Sequence, residues 1–228
     1  MSNYYHSTAR IASVVAAMAG RIERLAVSRA VKSINEVLRS YADTLTRWVI
    51  DAANGNMTAG RIATGFRSLL IDDAQAVYVE GMREGGIKDP ETEIDETDQA
   101  AIDSWIAGQV QHIYSFADDA VAVSKLSGDD RTAARGVMLD RVAVWVQSLE
   151  SLGRLAIANT KGDPMLTFDG DDGEESCAEC QKYKGQTHKK SWWEKRDLLR
   201  RNGNDNYGCQ RFENCHHFHY YADGSLAL

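Results

Sequence analysis

Residues 138–156 read MLDRVAVWVQSLESLGRLA. Their apolar stripe is Met138, Val142, Trp145, Leu149, Leu152 and Ala156, at gaps of 4, 3, 4, 3 and 4. Side chains three and four positions apart share one face of a helix, so the spacing predicts an amphipathic helix. Working back along the chain, Ser127-Gly128-Asp129-Asp130 breaks this helix from an earlier one carrying Ile102, Trp105, Ile106, Val110, Ile113, Phe116 and Ala120, with Thr97 as its expected cap. The polar stretch from Gly86 to Glu96, which holds Pro90, reads as a loop. Before it, Thr58 can cap a helix with Ile62, Phe66, Leu69, Leu70 and Val77, which Gly85-Gly86 ends. A further series runs Val27, Val31, Ile34, Leu38, Tyr41, Leu45 and Trp48 and stops at Asn54-Gly55-Asn56; another runs Ile11, Val15, Met18, Ile22 and Leu25. These two are displaced by two residues, so the stripe changes face near Ala26.

Such stripes normally face each other across a common core, and the reading is a mainly α fold with a helical bundle body. Only two prolines, Pro90 and Pro164, interrupt 228 residues, which suits long helices. The net charge of −7 gives no overall attraction to nucleic acid or to an anionic membrane. Arg10, Arg21, Arg24 and Arg29 read as a solvated face. No apolar run is long enough to span a bilayer, and the start of the chain lacks the basic segment of a signal peptide. A reducing compartment is therefore expected, where clustered cysteines more often hold metal than form disulfides.

The chemistry changes after Thr160. All four cysteines (Cys177, Cys180, Cys209 and Cys215) and four of the six histidines (His188, His216, His217 and His219) follow it. The expected organisation is a helical body over 1–160 and a small Cys/His metal-binding module over 161–228. Cys177 and Cys180 form a CxxC pair, whose thiolates can turn toward one cation from a tight knuckle, with Gly185 to relieve the return turn. Cys209 and Cys215 form a second pair. These four cysteines supply the four soft ligands that one structural Zn2+ needs, with His217, His216 or His188 as a substitute for one of them. Four thiolates close the shell and leave no open position for water, which favours a structural over a catalytic ion. A module with so few aliphatic residues cannot fold on its own core, so loss of Cys177 or Cys215 is expected to unfold residues 170–220 and spare the body. Glu174, Glu175 and Glu179 read as exposed loop carboxylates.

Residues 177–193, CAECQKYKGQTHKKSWW, and 208–217, GCQRFENCHH, together resemble the cysteine-containing end of tailed-phage minor head proteins, the head-morphogenesis or Mu F-like group. The likeness covers about 140–220 and includes the lead-in helix; residues 1–130 carry none. His217 stands where the group often has a further Cys, and the Pro that often precedes the final cluster is missing here. The resemblance implies a minor structural protein of the phage head, acting near the portal. It implies phage portal or capsid proteins as partners, several copies in a symmetric assembly, and a place in the virion after assembly in the host cytoplasm.

Two other functions compete. Lys182–Arg201 is basic, with eight Lys+Arg against Glu194 and Asp197 (8 − 2 = +6), and contains Trp192 and Trp193. Basic residues with aromatics can hold phosphates and stack bases, so a zinc-containing nucleic-acid-binding adaptor is one alternative. The plainer account of the same stretch is a short amphipathic helix, one Trp covering the metal knuckle and the lysines facing water. An HNH-type nuclease is the other alternative, but its general base would have to be His188, which no acidic residue precedes. The sequence therefore predicts a non-enzymatic protein with no catalytic residue.

Overall fold

The computed structural model describes residues 33–170, 178–196, 198–199 and 217–227. The series from Ile11 to Leu25, the residues Val27 and Val31, and Arg10, Arg21, Arg24 and Arg29 lie outside them.

Among the described residues the chain is mainly helical. Helix α1 (Ile34–Ala53) starts at Ser33, whose side chain accepts from the Glu36 amide while Glu36 reaches back to the Ser33 amide. This reciprocal cap satisfies two amide donors that a helix start leaves over. Helix α2 (Ala59–Glu84) starts at Thr58, as expected, and ends at Gly85, with Gly86 at φ +106°. A four-residue helix α3 (Pro90–Glu93) stands inside the segment expected to be a loop. Buried Pro90 opens it, and Arg83 clamps it from α2 through Glu91.

Helix α4 (Glu96–Ala122) is capped by Asp95, not by Thr97. The Asp95 carboxylate accepts from the amides of Thr97 and Asp98 at 2.8 and 2.9 Å, and Asp98 answers to the Asp95 amide. A carboxylate is as good a cap as a hydroxyl and also suits the positive end of the helix dipole. A short 3-10 turn (Val123–Lys125) then leads through Ser127 into α5 (Gly128–Thr160).

The four long helices run alternately up and down. Every residue of the α5 stripe from Met138 to Ala156 is buried. Phe66 is the hub of the core: its ring lies 4.6 Å from Trp145, 5.3 Å from Phe116 and 6.2 Å from Tyr41, all edge-on. Edge-to-face contact is the arrangement the ring quadrupoles prefer. Helices α2 and α5 lie side by side in the same direction, with small residues at their closest approach. A Cβ added at Gly81 would stand 2.3 Å from the Gly153 carbonyl oxygen, and one at Gly85 2.0 Å from the Thr160 hydroxyl.

After α5 the chain forms a small sheet that the helical spacing did not foreshadow. Strand β1 (Met165–Gly170) is central, flanked by β2 (Thr187–Lys189) and β3 (His217–Tyr220), both antiparallel to it. Between β1 and β2 lies the short helix α6 (Ala178–Tyr183), and α7 (Lys190–Glu194) follows β2 directly. Gly185, at φ +75°, makes the return from α6, and its amide donates to the Phe168 carbonyl at 2.8 Å. No described helix is long and apolar enough to cross a membrane.

Candidate metal centre

Residues directly opposite each other on antiparallel strands project to the same face. Leu166 pairs with His188, Phe168 with His219 and Gly170 with His217. One face of the sheet therefore carries Leu166, Phe168 and three histidines. Leu166, Phe168, His217 and His219 on that face are buried, whereas Met165 and Asp169 on the other face are exposed. Burying an imidazole costs its hydration, so a buried histidine on an apolar face is uncommon unless polar contacts replace the water.

Two aromatic rings organise the face. Phe168 stacks against His217 at 5.6 Å and lies 5.1 Å from His219. Trp193 of α7 is fully buried, 4.8 Å edge-on to His219 and 6.0 Å from Phe168, and its indole N–H donates to the Leu166 carbonyl at 3.2 Å. Tyr183 of α6 meets Trp193 at 6.1 Å. Cys180, three residues earlier in α6, is 2% exposed and belongs to the same core.

Of the expected ligands, Cys180 of α6 and His217 of β3 are both buried. Cys177, Cys209 and Cys215 lie outside the described residues, as do His216, Glu174, Glu175 and the Glu179 side chain. Among the described residues no three His, Cys, Asp or Glu side chains converge as a metal-holding group. His188 stands apart from the other two histidines. Its strand is two places from β3, about 10 Å away, and Trp193 lies between, 5.3 Å from His188. His188 instead stacks on Trp192 at 3.6 Å and shares a hydrogen bond with Gln186 at 3.1 Å.

His219 did not figure among the expected ligands, yet it is the most buried histidine of the described chain. Its signal was the alternation His217-Phe218-His219-Tyr220, a period of two that puts both imidazoles on one side of a strand.

The basic stretch divides between water and core. Trp193 and Lys190 are buried, while Lys189, Lys195 and Arg196 are exposed. Trp192 is covered on both sides. The His188 ring lies 3.6 Å from its centroid and the Arg196 guanidinium 4.0 Å, and two groups that close cannot share one face. Neither indole therefore presents an open face on which a base could stack.

The module is seated by Asp163, in the turn before β1. Its carboxylate accepts from the Ser191 amide at 2.8 Å and the Ser191 hydroxyl at 2.9 Å, and Lys189 lies 3.7 Å away. The backbone hydrogen bond from Ser191 is the main cause holding the Asp163 carboxyl below its usual pKa.

Compared with protein-family models, curated proteins and solved structures, the chain matches none of them.

Proposed function

We propose that the chain is a non-enzymatic structural or assembly protein of a phage particle, associated with the head or portal, whose C-terminal module is held by one structural Zn2+. The observation that supports the zinc reading is that Cys180 and His217, both expected ligands, are each buried, at 2% and 1% exposure. Thiolate and imidazole are the donors zinc favours. With Cys180 and His217 in the shell, two of Cys177, Cys209 and Cys215 would complete its four positions. Bound zinc would link α6 to β3 through Cys180 and His217; Phe168 and Trp193 pack against the imidazoles of His217 and His219.

The particle reading draws on the resemblance of the Cys177–His217 segment to phage minor head proteins. The packing of His188 and Arg196 on Trp192 also weighs against a nucleic-acid adaptor that would stack bases there. Elemental analysis of protein purified without added metal tests the first part: about one zinc per chain is expected, and a metal-free protein with the same fold would end that reading. Mass spectrometry of purified particles and assembly intermediates tests the second. Charge reversal at Lys195, Arg196, Arg200 and Arg201 should lower incorporation while helical content stays unchanged. Absence of the chain from every particle form would overturn the assembly role.

A further inference from the structure

The C-terminal module meets the helical body through a run of polar side chains whose donor and acceptor roles are all forced. The Lys190 ammonium, in a residue only 8% exposed, donates to Asn159 Oδ1, near the end of α5. The amide nitrogen of Asn159 donates to the Tyr78 hydroxyl at 2.7 Å. Tyr78 is fully buried in α2, and its hydroxyl donates to Asp98 Oδ1 at 2.6 Å. A lysine can only donate and an ionised carboxylate can only accept, so the two outer bonds have one direction each, and the bond between Asn159 and Tyr78 must follow them. The run starts on a cation, ends on an anion, and crosses from α7 through α5 and α2 to α4.

Both ends have a second task. Lys190 also pairs with Glu194 at 3.3 Å, one turn along α7, and its backbone amide donates to the Pro164 carbonyl at 2.8 Å. The other oxygen of Asp98 accepts from the Asp95 amide at 3.4 Å and so closes the cap of α4. The phenol in the middle stays a donor, because burial and then the bond to Asp98 push its pKa well above the ordinary value.

We infer that Lys190–Asn159–Tyr78–Asp98 is a latch that docks the C-terminal module on the bundle and ties the order of the module to the start of α4. Hydrogen bonds with a charged partner in a low-dielectric interior are strong, and breaking one leaves another buried group unmet. The loss at one end is therefore felt at the other. The latch also fixes the direction in which exposed Lys189, Lys195 and Arg196 face relative to the helices.

Hydrogen exchange on the full chain tests this with Lys190→Met, Tyr78→Phe and the double variant, and with Lys189→Met as an exposed control. Lys190→Met should speed exchange in the first turns of α4, at Gln99 to Ile102, by roughly tenfold, the weight of one charge-assisted bond. Tyr78→Phe should do the same in the module, at Met165 to Thr167 and at Lys189. The double variant should fall short of the product of the two single effects, as groups in one network do. Lys189→Met should change neither region. Should Lys190→Met fail to fold, Tyr78→Phe, which removes one hydroxyl, decides alone. Effects confined to the substituted element, or multiplicative in the double variant, would overturn the latch.

Discussion

Asp163 shows how a single carboxylate can stand in for a local signal. Helix α7 begins after Lys189, a residue with no side-chain acceptor for a helix amide, and nothing near it in sequence caps it. The acceptor comes from Asp163, 28 residues before Ser191. A partner at that distance is set by the fold of the whole module, so no spacing rule could have found it. The folded pKa of Asp163 is lowered, so the group favours the folded state wherever it is charged, above the ordinary carboxylate range. That contribution is lost as pH falls through the lowered folded value. Asp163→Asn should therefore remove acid sensitivity from the seating of α7. The check is exchange at Ser191 and Lys190 at neutral pH and near pH 3. The wild type should lose protection on acidification, while the variant should begin lower and change less.

Phe66 is the opposite kind of residue. Its place was legible from local spacing alone, since it lies in the stripe Ile62, Phe66, Leu70, Val77. What spacing could not give is its position as the ring that Tyr41, Phe116 and Trp145 all meet. Phe66→Ala should cost about 3–5 kcal/mol, the usual range for emptying a buried ring site. Denaturant unfolding measures it. A cost below about 1 kcal/mol would mean that the core is not centred there.

At the scale of elements, the long helices were readable because their stripes and caps are local: Thr58 caps α2, Gly85-Gly86 ends it, and the α5 stripe is buried throughout. The small sheet was less so, because strands of three to six residues carry little period and gain their place from cross-strand partners. The glycines divide in a way that sequence does not reveal. Gly81 and Gly153 let α2 and α5 approach closely, whereas Gly108 in α4 has nothing within 4 Å of a Cβ position. Gly81→Ala should destabilise by about 1–3 kcal/mol, since overpacking against the Gly153 backbone outweighs the gain in helix propensity. Gly108→Ala should stabilise by about 0.5–1 kcal/mol, since only the propensity changes. Thermal unfolding of the two variants should shift in opposite directions; shifts of the same sign would remove the close approach as the reason for Gly81.

At the scale of the whole molecule, the question is whether the proposed zinc would support the C-terminal module alone or the entire chain. The sequence pointed to a module that comes apart by itself, because residues 161–228 carry few aliphatic side chains. The structure adds three connections. Leu166, Phe168, Cys180, Trp193, Leu198 and Leu199 belong to one hydrophobic core with the helices. The Lys161 ammonium, just past α5, lies 3.8 Å over the ring of Tyr221. The hydrogen-bonded run from Lys190 reaches Asp98. A ligand bound only by the folded chain stabilises everything that unfolds with its site. If the module holds the zinc proposed for it, a chelator should lower the melting temperature of one shared transition, by about 2–4 °C for each kcal/mol of binding energy lost. Tryptophan fluorescence, sensitive to Trp193 beside His219, and far-ultraviolet circular dichroism, dominated by α1, α2, α4 and α5, should shift together. An early fluorescence change with the helical transition left in place would show instead that the module unfolds alone.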